Sequence, residues 1–267
     1  MIKFSKFVAT GNDFIIIDNR DRKIKKPSIF ARKVCTRKFG IGADGVLLLE
    51  KAKGFDFKMR IFNPDGSEAE MCGNGARCIA CYSYKNGISR RKMRFLTISG
   101  EIEAEVKGKK VKVKLTPPKD YRVLRIKVDR KIFKVYFVLA GVPHAVLFFE
   151  NLEKVDVREL GRKIRYHPVF SPKGTNVNFV KITGKNSISI RTYERGVEDE
   201  TLSCGTGSVA SSYVSWKNRF VFSPVRVSTR AENLKVYIED DKNVYLEGEV
   251  EHVYDGTFFA FPEKRKK

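Results

Sequence analysis

Two short stretches carry the chemistry in this sequence. Cys72-Gly-Asn-Gly-Ala and Cys204-Gly-Thr-Gly-Ser each place a thiol just ahead of two glycines and a run of small residues. Glycine lets a backbone approach a ligand closely. If each stretch opens a helix, its unpaired N–H groups and the helix dipole attract a carboxylate. The same field favours the thiolate form of the cysteine. Two such turns acting on one ligand would hold its carboxylate with a sulfur on each face of the adjacent α-carbon. One thiolate can then remove the α-proton while the opposite thiol returns one, which inverts the centre. No cofactor motif competes: the sequence has no GxxxxGK[ST], no HExxH and no Rossmann fingerprint. The chemistry is therefore expected to need no cofactor and no metal. Cys78 and Cys81 form a C-x-x-C, but no second such pair exists, and at i and i+3 of a buried helix they read as packing residues. Cys35 reads as core. Five cysteines in a chain of this size do not make a disulfide scaffold.

The elements that position these turns can be read from the pattern. After Cys72 the chain runs ARCIACYSY, and after Cys204 it runs TGSVASSYVSW, with no charged face beyond Arg77. A helix without a polar stripe is buried. Two further helices are predicted at Pro27–Lys38, with Ser28 near its start, and at Val155–Ile164, with Asp156 as N-cap. Strands dominate elsewhere: Phe14–Ile17, Val46–Leu49, Lys58–Phe62, Arg94–Ile98, Ile102–Val106 and Val111–Leu115 in the first half. Phe133–Leu139, Ala145–Phe149, Val177–Ile182, Ser187–Thr192, Arg226–Ser228, Leu234–Ile238 and Val244–Glu247 follow in the second.

The halves share landmarks in the same order. Gly11-Asn-Asp-Phe leads into Ile15–Ile17, as Gly141-Val-Pro-His leads into Val146–Phe149. Gly40-Ile-Gly-Ala-Asp precedes Val46–Leu49, as Gly174-Thr-Asn precedes Val177–Val180. Asn63-Pro-Asp-Gly and Glu194-Arg-Gly stand before the two cysteine turns. Gly11 and Cys72 are 61 positions apart; Gly141 and Cys204 are 63 apart. This is the signature of an internal duplication. It predicts two similar domains joined near Pro117-Pro118, and a site that draws one cysteine from each.

Composition bounds the function classes. The chain has 267 residues, 42% hydrophobic and 31% charged, which fits one large or two ordinary domains with packed cores. No apolar run is long enough to span a membrane, and the start, MIKFSKFVATGNDF, has no signal-like apolar region. The chain is expected to be cytoplasmic, with no membrane partner. The net charge of +22 raises the question of nucleic acid. The lysines, however, alternate with valines in strand-like segments such as VKGKKVKVKL, and only Glu263–Lys267 is a basic cluster. The charge reads as a solvated surface that helps gather an anionic small molecule, and no nucleic-acid partner is expected.

At this point the residues resemble the diaminopimelate epimerase family over essentially the whole chain. The resemblance rests on GNDF (Gly11–Phe14), GIGADG (Gly40–Gly45), FNPDGSEAEMCGNGARC (Phe62–Cys78), PH (Pro143-His144) and TNVNF (Thr175–Phe179). It continues through YERG (Tyr193–Gly196), ETLSCGTG (Glu200–Gly207) and HVYDG (His252–Gly256). It implies an α+β fold of two similar domains, each a mostly antiparallel sheet wrapped around a central helix. The domains would be residues 1–116, with 249–267 returning to them, and residues 117–248. It implies a cofactor-independent epimerase acting on a small amino-acid substrate in lysine and peptidoglycan-precursor biosynthesis, in a family that is usually homodimeric. Cys72 and Cys204 would exchange the roles of base and acid. The N–H groups of Gly73-Asn74 and Gly205-Thr206 would hold the reacting carboxylate. His144 and Glu194 would stand beside the reacting centre, where they hold the ammonium group and tune the thiols. Asn12, Asn63, Asn176, Glu194 and Arg195 would read the substrate, and the two-pronged guanidinium of Arg195 suits a carboxylate. His167 and His252 read as structural.

Two positions depart from the family pattern. Val142 stands where some members have Asn, and Gly45 where some have Gln. Both bear on how the distal amino-acid centre is read and not on proton transfer. The nearest rival is a proline or hydroxyproline racemase with a similar two-cysteine device, against which Arg195 and the asparagines favour a diamino dicarboxylate. A phenazine-type isomerase would lack the paired cysteines.

Overall fold

The computed structural model describes residues 1–259, so the basic stretch Glu263–Lys267 lies outside the described residues. The chain folds as two compact units. One is Met1–Val113 with the chain from Glu249 onward; the other is Lys114–Gly248.

The first unit contains β1 (Ile2–Ala9), β2 (Asn12–Asp18), α1 (Pro27–Val34), β3 (Gly45–Glu50), β4 (Phe57–Phe62), β5 (Glu68–Ala69), α2 (Gly73–Lys85), β6 (Lys92–Thr97), β7 (Gly100–Lys107) and β8 (Lys110–Leu115). The second contains β9 (Lys119–Val128), β10 (Lys131–Ala140), β11 (Val142–Phe148), α3 (Val157–Arg165), a 3-10 turn at Pro168–Phe170, β12 (Asn176–Gly184), β13 (Ser187–Glu194), β14 (Asp199–Thr201), α4 (Gly205–Lys217), β15 (Val225–Ser228), β16 (Asn233–Ile238) and β17 (Val244–Glu249). The last strand, β18 (Glu251–Phe258), belongs to the first unit.

Pairing repeats strand for strand. In the second unit β9–β10–β11 run antiparallel, β11 pairs parallel with β12, and β12–β13–β14 are antiparallel. Strand β15 then pairs parallel with β13 and continues antiparallel through β16 to β17. The first unit has the same order: β18–β1–β2 antiparallel, β2–β3 parallel, β3–β4–β5 antiparallel, β4–β6 parallel, then β7 and β8. The chain end therefore supplies in the first unit the strand that β9 supplies in the second.

Helices α2 and α4 are buried along most of their length, from Gly75 to Ser83 and from Gly207 to Ser215. Their small residues let surrounding strands approach, and α4 touches β10, β11, β12, β13, β15 and β16. The ends of the other helices follow local chemistry. Asp156 caps α3 by accepting the Glu159 N–H at 2.9 Å. Pro27 opens α1 without a side-chain cap, and that helix stops at Val34, not at Lys38. The next turn folds back instead, with the Ile41 and Gly42 N–H groups donating to the Val34 carbonyl. Among the described residues no helix is long and apolar enough to cross a membrane.

Candidate active site

Each cysteine of the paired turns is the N-cap of its buried helix. Cys72 caps α2 in extended conformation (φ −144°, ψ 120°), and its sulfur accepts the Gly75 N–H at 3.5 Å. Cys204 caps α4 (φ −131°, ψ 112°) and accepts the Gly207 N–H at 3.4 Å. The carbonyls of the two cysteines take the N–H groups of Ala76 and Ser208, both at 2.8 Å. Gly73 and Asn74, like Gly205 and Thr206, fill the first two helical positions, whose N–H groups have no acceptor within the helix.

Around Cys72 the polar side chains form a chain. Arg77, fully buried, donates to Asn74 Oδ1 at 2.7 Å and also reaches the Thr10 hydroxyl and the Glu249 carbonyl. Asn74 Nδ2 donates to Asn12 Oδ1 at 3.1 Å, and Asn12 Nδ2 donates to Asp44 at 2.8 Å. Arg37 bridges Asp44 and Asp13, and Asp13 also pairs with the buried Lys6 at 2.7 Å. Burial alone would raise the Asp13 carboxyl, but Lys6 and Arg37 bring it down to about 2. Asn63 fastens the preceding turn, its amide on the Ser67 hydroxyl at 2.9 Å.

The second unit gathers the other expected residues. The registers place His144 opposite Asn176 on β11 and β12, and Asn176 one residue beyond the Val177–Tyr193 pair, across from Glu194. Asn176 Oδ1 accepts the Arg195 N–H at 2.7 Å. The Arg195 guanidinium makes a long bond to the Lys173 carbonyl (3.3 Å), and among the described residues it forms no ion pair. His144 is completely buried. Its Nδ1 lies 3.0 Å from Asn178 Nδ2, and its Nε2 has no hydrogen-bond partner among the described residues. Burial, reinforced by the charge of Arg195, pushes His144 down to about 3, so its ring is neutral at physiological pH. Burial raises the Glu194 carboxyl above its usual range.

Cys204 departs from the expectation that the helix terminus lowers the thiol. Burial is the largest influence and the charge of Glu194 adds to it; together they overcome the Thr206 and Gly207 hydrogen bonds and push the thiol up to about 11. Cys204 thus rests as a protonated thiol.

The remaining cysteines and histidines are structural. Cys78 and Cys81 are buried within α2. Cys35 is core, and burial pushes its thiol up to about 11. His167 accepts the Val169 N–H at the 3-10 turn. His252 stacks on Phe7 and pairs with Asp255 at 3.0 Å. Arg77, Asn178 and Thr192 are site neighbours that sequence reasoning did not single out. In a lone sequence a polar residue in a strand reads as a solvent-facing position, and only the register brings Asn178 to His144.

Two duplicated α+β units, each presenting a cysteine at the N-cap of its central helix, define the two-domain racemase and epimerase fold. Solved structures share it at low identity. A phenazine biosynthesis protein of the PhzF family from Bacillus anthracis superposes with a TM-score of 0.73 at 15% identity, over 97% of this chain and 99% of that one. A probable proline racemase from Agrobacterium radiobacter superposes with a TM-score of 0.68 at 15% identity, over 99% and 95%. Sequence narrows the class. The diaminopimelate epimerase family model matches residues 4–120 and 136–253. The diaminopimelate epimerase of Aquifex aeolicus is 46% identical over 96% of this chain and 97% of its own length, and that of Archaeoglobus fulgidus is 42% identical over 96% and 95%. The chain belongs to the diaminopimelate epimerase family.

Proposed function

We propose that this enzyme interconverts L,L-2,6-diaminopimelate and meso-diaminopimelate by proton transfer between two cysteines, without a cofactor. The observation that carries the reading is the matched pair of N-cap thiols, Cys72 and Cys204, each bonded to the N–H three residues on. In one direction Cys72 as thiolate takes the α-proton, and Cys204, resting as a thiol, gives its proton to the opposite face. The C–H electron pair is held briefly at the α-carbon and its carboxylate. Product then leaves with the two protonation states exchanged, and the reverse reaction restores them.

The substrate's reacting carboxylate takes the N–H groups at Gly73-Asn74 and Gly205-Thr206. These donors stabilise the charge that develops when the proton leaves. Glu194 holds the ammonium group, since a carboxylate is the acceptor an ammonium needs. Arg195, without an acidic partner among the described residues, takes the distal carboxylate, and Asn176 fixes its backbone. Asn12 and Asn63 complete the recognition of the distal centre from the first unit. The reaction serves lysine and peptidoglycan-precursor synthesis in the cytoplasm, and the working form is a homodimer.

Incubation with L,L-diaminopimelate in heavy water tests the reading. Deuterium should enter the α-carbon as the meso form appears. L-Proline offered under the same conditions should neither exchange nor racemise. Exchange of proline without exchange of diaminopimelate would assign the enzyme to the racemase branch.

A further inference from the structure

One buried set of three positions is apolar in one unit and polar in the other. In the first unit Leu47 of β3 pairs with Ile61 of β4, and Phe14 lies on β2 two residues before Ile16, the β2 partner of Leu47. The registers put His144, Asn178 and Thr192 at the same places on β11, β12 and β13. All six are buried. The match extends to the helices: a Cβ on Gly75 would meet the Leu47 side chain at 3.2 Å, and one on Gly207 would meet Asn178 Oδ1 at 2.4 Å. The fold is thus built with an apolar triple in one copy and a hydrogen-bonded polar triple in the other. Burying polar groups costs free energy that an apolar triple avoids, so the polar version calls for a role beyond packing.

The bonds within the triple have a direction. The Thr192 hydroxyl donates to Asn178 Oδ1 at 3.1 Å. Asn178 Nδ2 faces His144 Nδ1 at 3.0 Å and the Ala145 carbonyl at 3.4 Å. Turning the amide over would set its oxygen against that carbonyl, so the nitrogen belongs where it is. An amide N–H on Nδ1 makes that ring atom an acceptor, and a neutral imidazole then carries its proton on Nε2. That Nε2–H has no partner among the described residues. The Asn178 amide and the Cys204 sulfur both border Gly207, the sulfur 3.3 Å from where a Cβ would stand.

We propose that Asn178, oriented by Thr192, is a positioning residue that fixes His144 in the tautomer with its proton on Nε2, making this histidine a neutral hydrogen-bond donor. A neutral donor cannot accept from an ammonium group. His144 therefore serves an anion at the reacting centre and leaves the ammonium to Glu194. This assignment rests on the two-cysteine reading of the site, whereas the tautomer itself can be observed without turnover.

The test is nitrogen-15 NMR of imidazole-labelled protein, which has only three histidines to assign. The wild type should show His144 with bare Nδ1 and protonated Nε2. Asn178→Asp keeps the shape but replaces the donor with an acceptor, so the proton should move to Nδ1. In that variant kcat should fall about 10²-fold, the scale of a lost proton-handling group, with KM changed less than about threefold. Thr192→Val, which removes only the hydroxyl that aims the amide, should give a mixture of tautomers and a smaller fall in kcat. A wild-type ring with Nδ1 protonated would overturn the proposal, and so would a tautomer switch in folded Asn178→Asp that left kcat unchanged. A wild type with the expected tautomer but no α-proton exchange would instead refute the two-cysteine reading.

Discussion

The Thr206 hydroxyl lies 3.4 Å from the Cys204 sulfur. At the same place in the other turn stands Asn74, whose amide is spent on Arg77 and Asn12. The two turns share a backbone frame but carry different side chains at this position.

The first prediction concerns the Cys204 proton. Its folded value of about 11 lies above the ordinary 9.0. The unfolded chain therefore ionises first. The contribution to stability is complete below about pH 9 and is lost as pH rises toward about 11. Urea unfolding of wild type and Cys204→Ala across this range should show the wild type losing on the order of 2 kcal/mol more than the variant. Parallel pH dependence of the two would mean that Cys204 is not held as a thiol.

For His144 the shift runs the other way, from 6.5 to about 3. The ring stays neutral throughout the working range, so the acid limb of kcat/KM should belong to the thiol pair, which titrates with macroscopic values of its own. The profile should be bell-shaped, and thiolate absorbance in the ultraviolet should rise along the acid limb. An acid limb that followed His144 protonation by NMR would contradict this.

Arg195→Met should act mainly on binding. Losing a guanidinium partner for the distal carboxylate should weaken substrate affinity by about 2–5 kcal/mol and relax the preference for two carboxylates. Calorimetric titration with diaminopimelate measures this directly, and unchanged affinity would remove Arg195 from the distal site.

Gly207→Ala should be damaging where Gly73→Ala is not. A Cβ on Gly207 would press on Asn178 Oδ1 at 2.4 Å and on the Cys204 sulfur at 3.3 Å, whereas nothing lies within 4 Å of one on Gly73. Overpacking at Gly207 should cost about 1–3 kcal/mol in thermal unfolding and most of the activity. Gly73→Ala should unfold like the wild type, and any activity it loses then reports ligand approach to the α2 turn.

Much of this architecture is legible in the residues because cysteine and glycine carry local information. A thiol before two glycines and a featureless run of small residues marks a capped, buried helix, and two such marks at near-equal spacing expose the duplication. Strands with apolar runs, such as Val46–Leu49, are equally plain. The strands that escape are β1, β9 and β18, and the two short strands β5 and β14. Along β9 and β18 most side chains are exposed, and Asp255-Gly256 within β18 reads as a turn. Two consequences of tertiary burial also leave no local signal. The dipole argument for Cys204 is sound as far as it goes, but it carries no information on desolvation, which wins. The polar triple of His144, Asn178 and Thr192 spans three strands and exists only through their register.

The central claim is that Cys72 and Cys204 divide one proton transfer between them. It is tested most directly by following α-deuterium uptake from heavy water into L,L-diaminopimelate in wild type, Cys72→Ala, Cys204→Ala, Cys78→Ala and Cys81→Ala. The account predicts epimerisation lowered at least about 10³-fold in the first two variants. It predicts near-normal turnover in the last two, whose thiols are packed inside α2. Sustained epimerisation by folded Cys72→Ala or Cys204→Ala would contradict it.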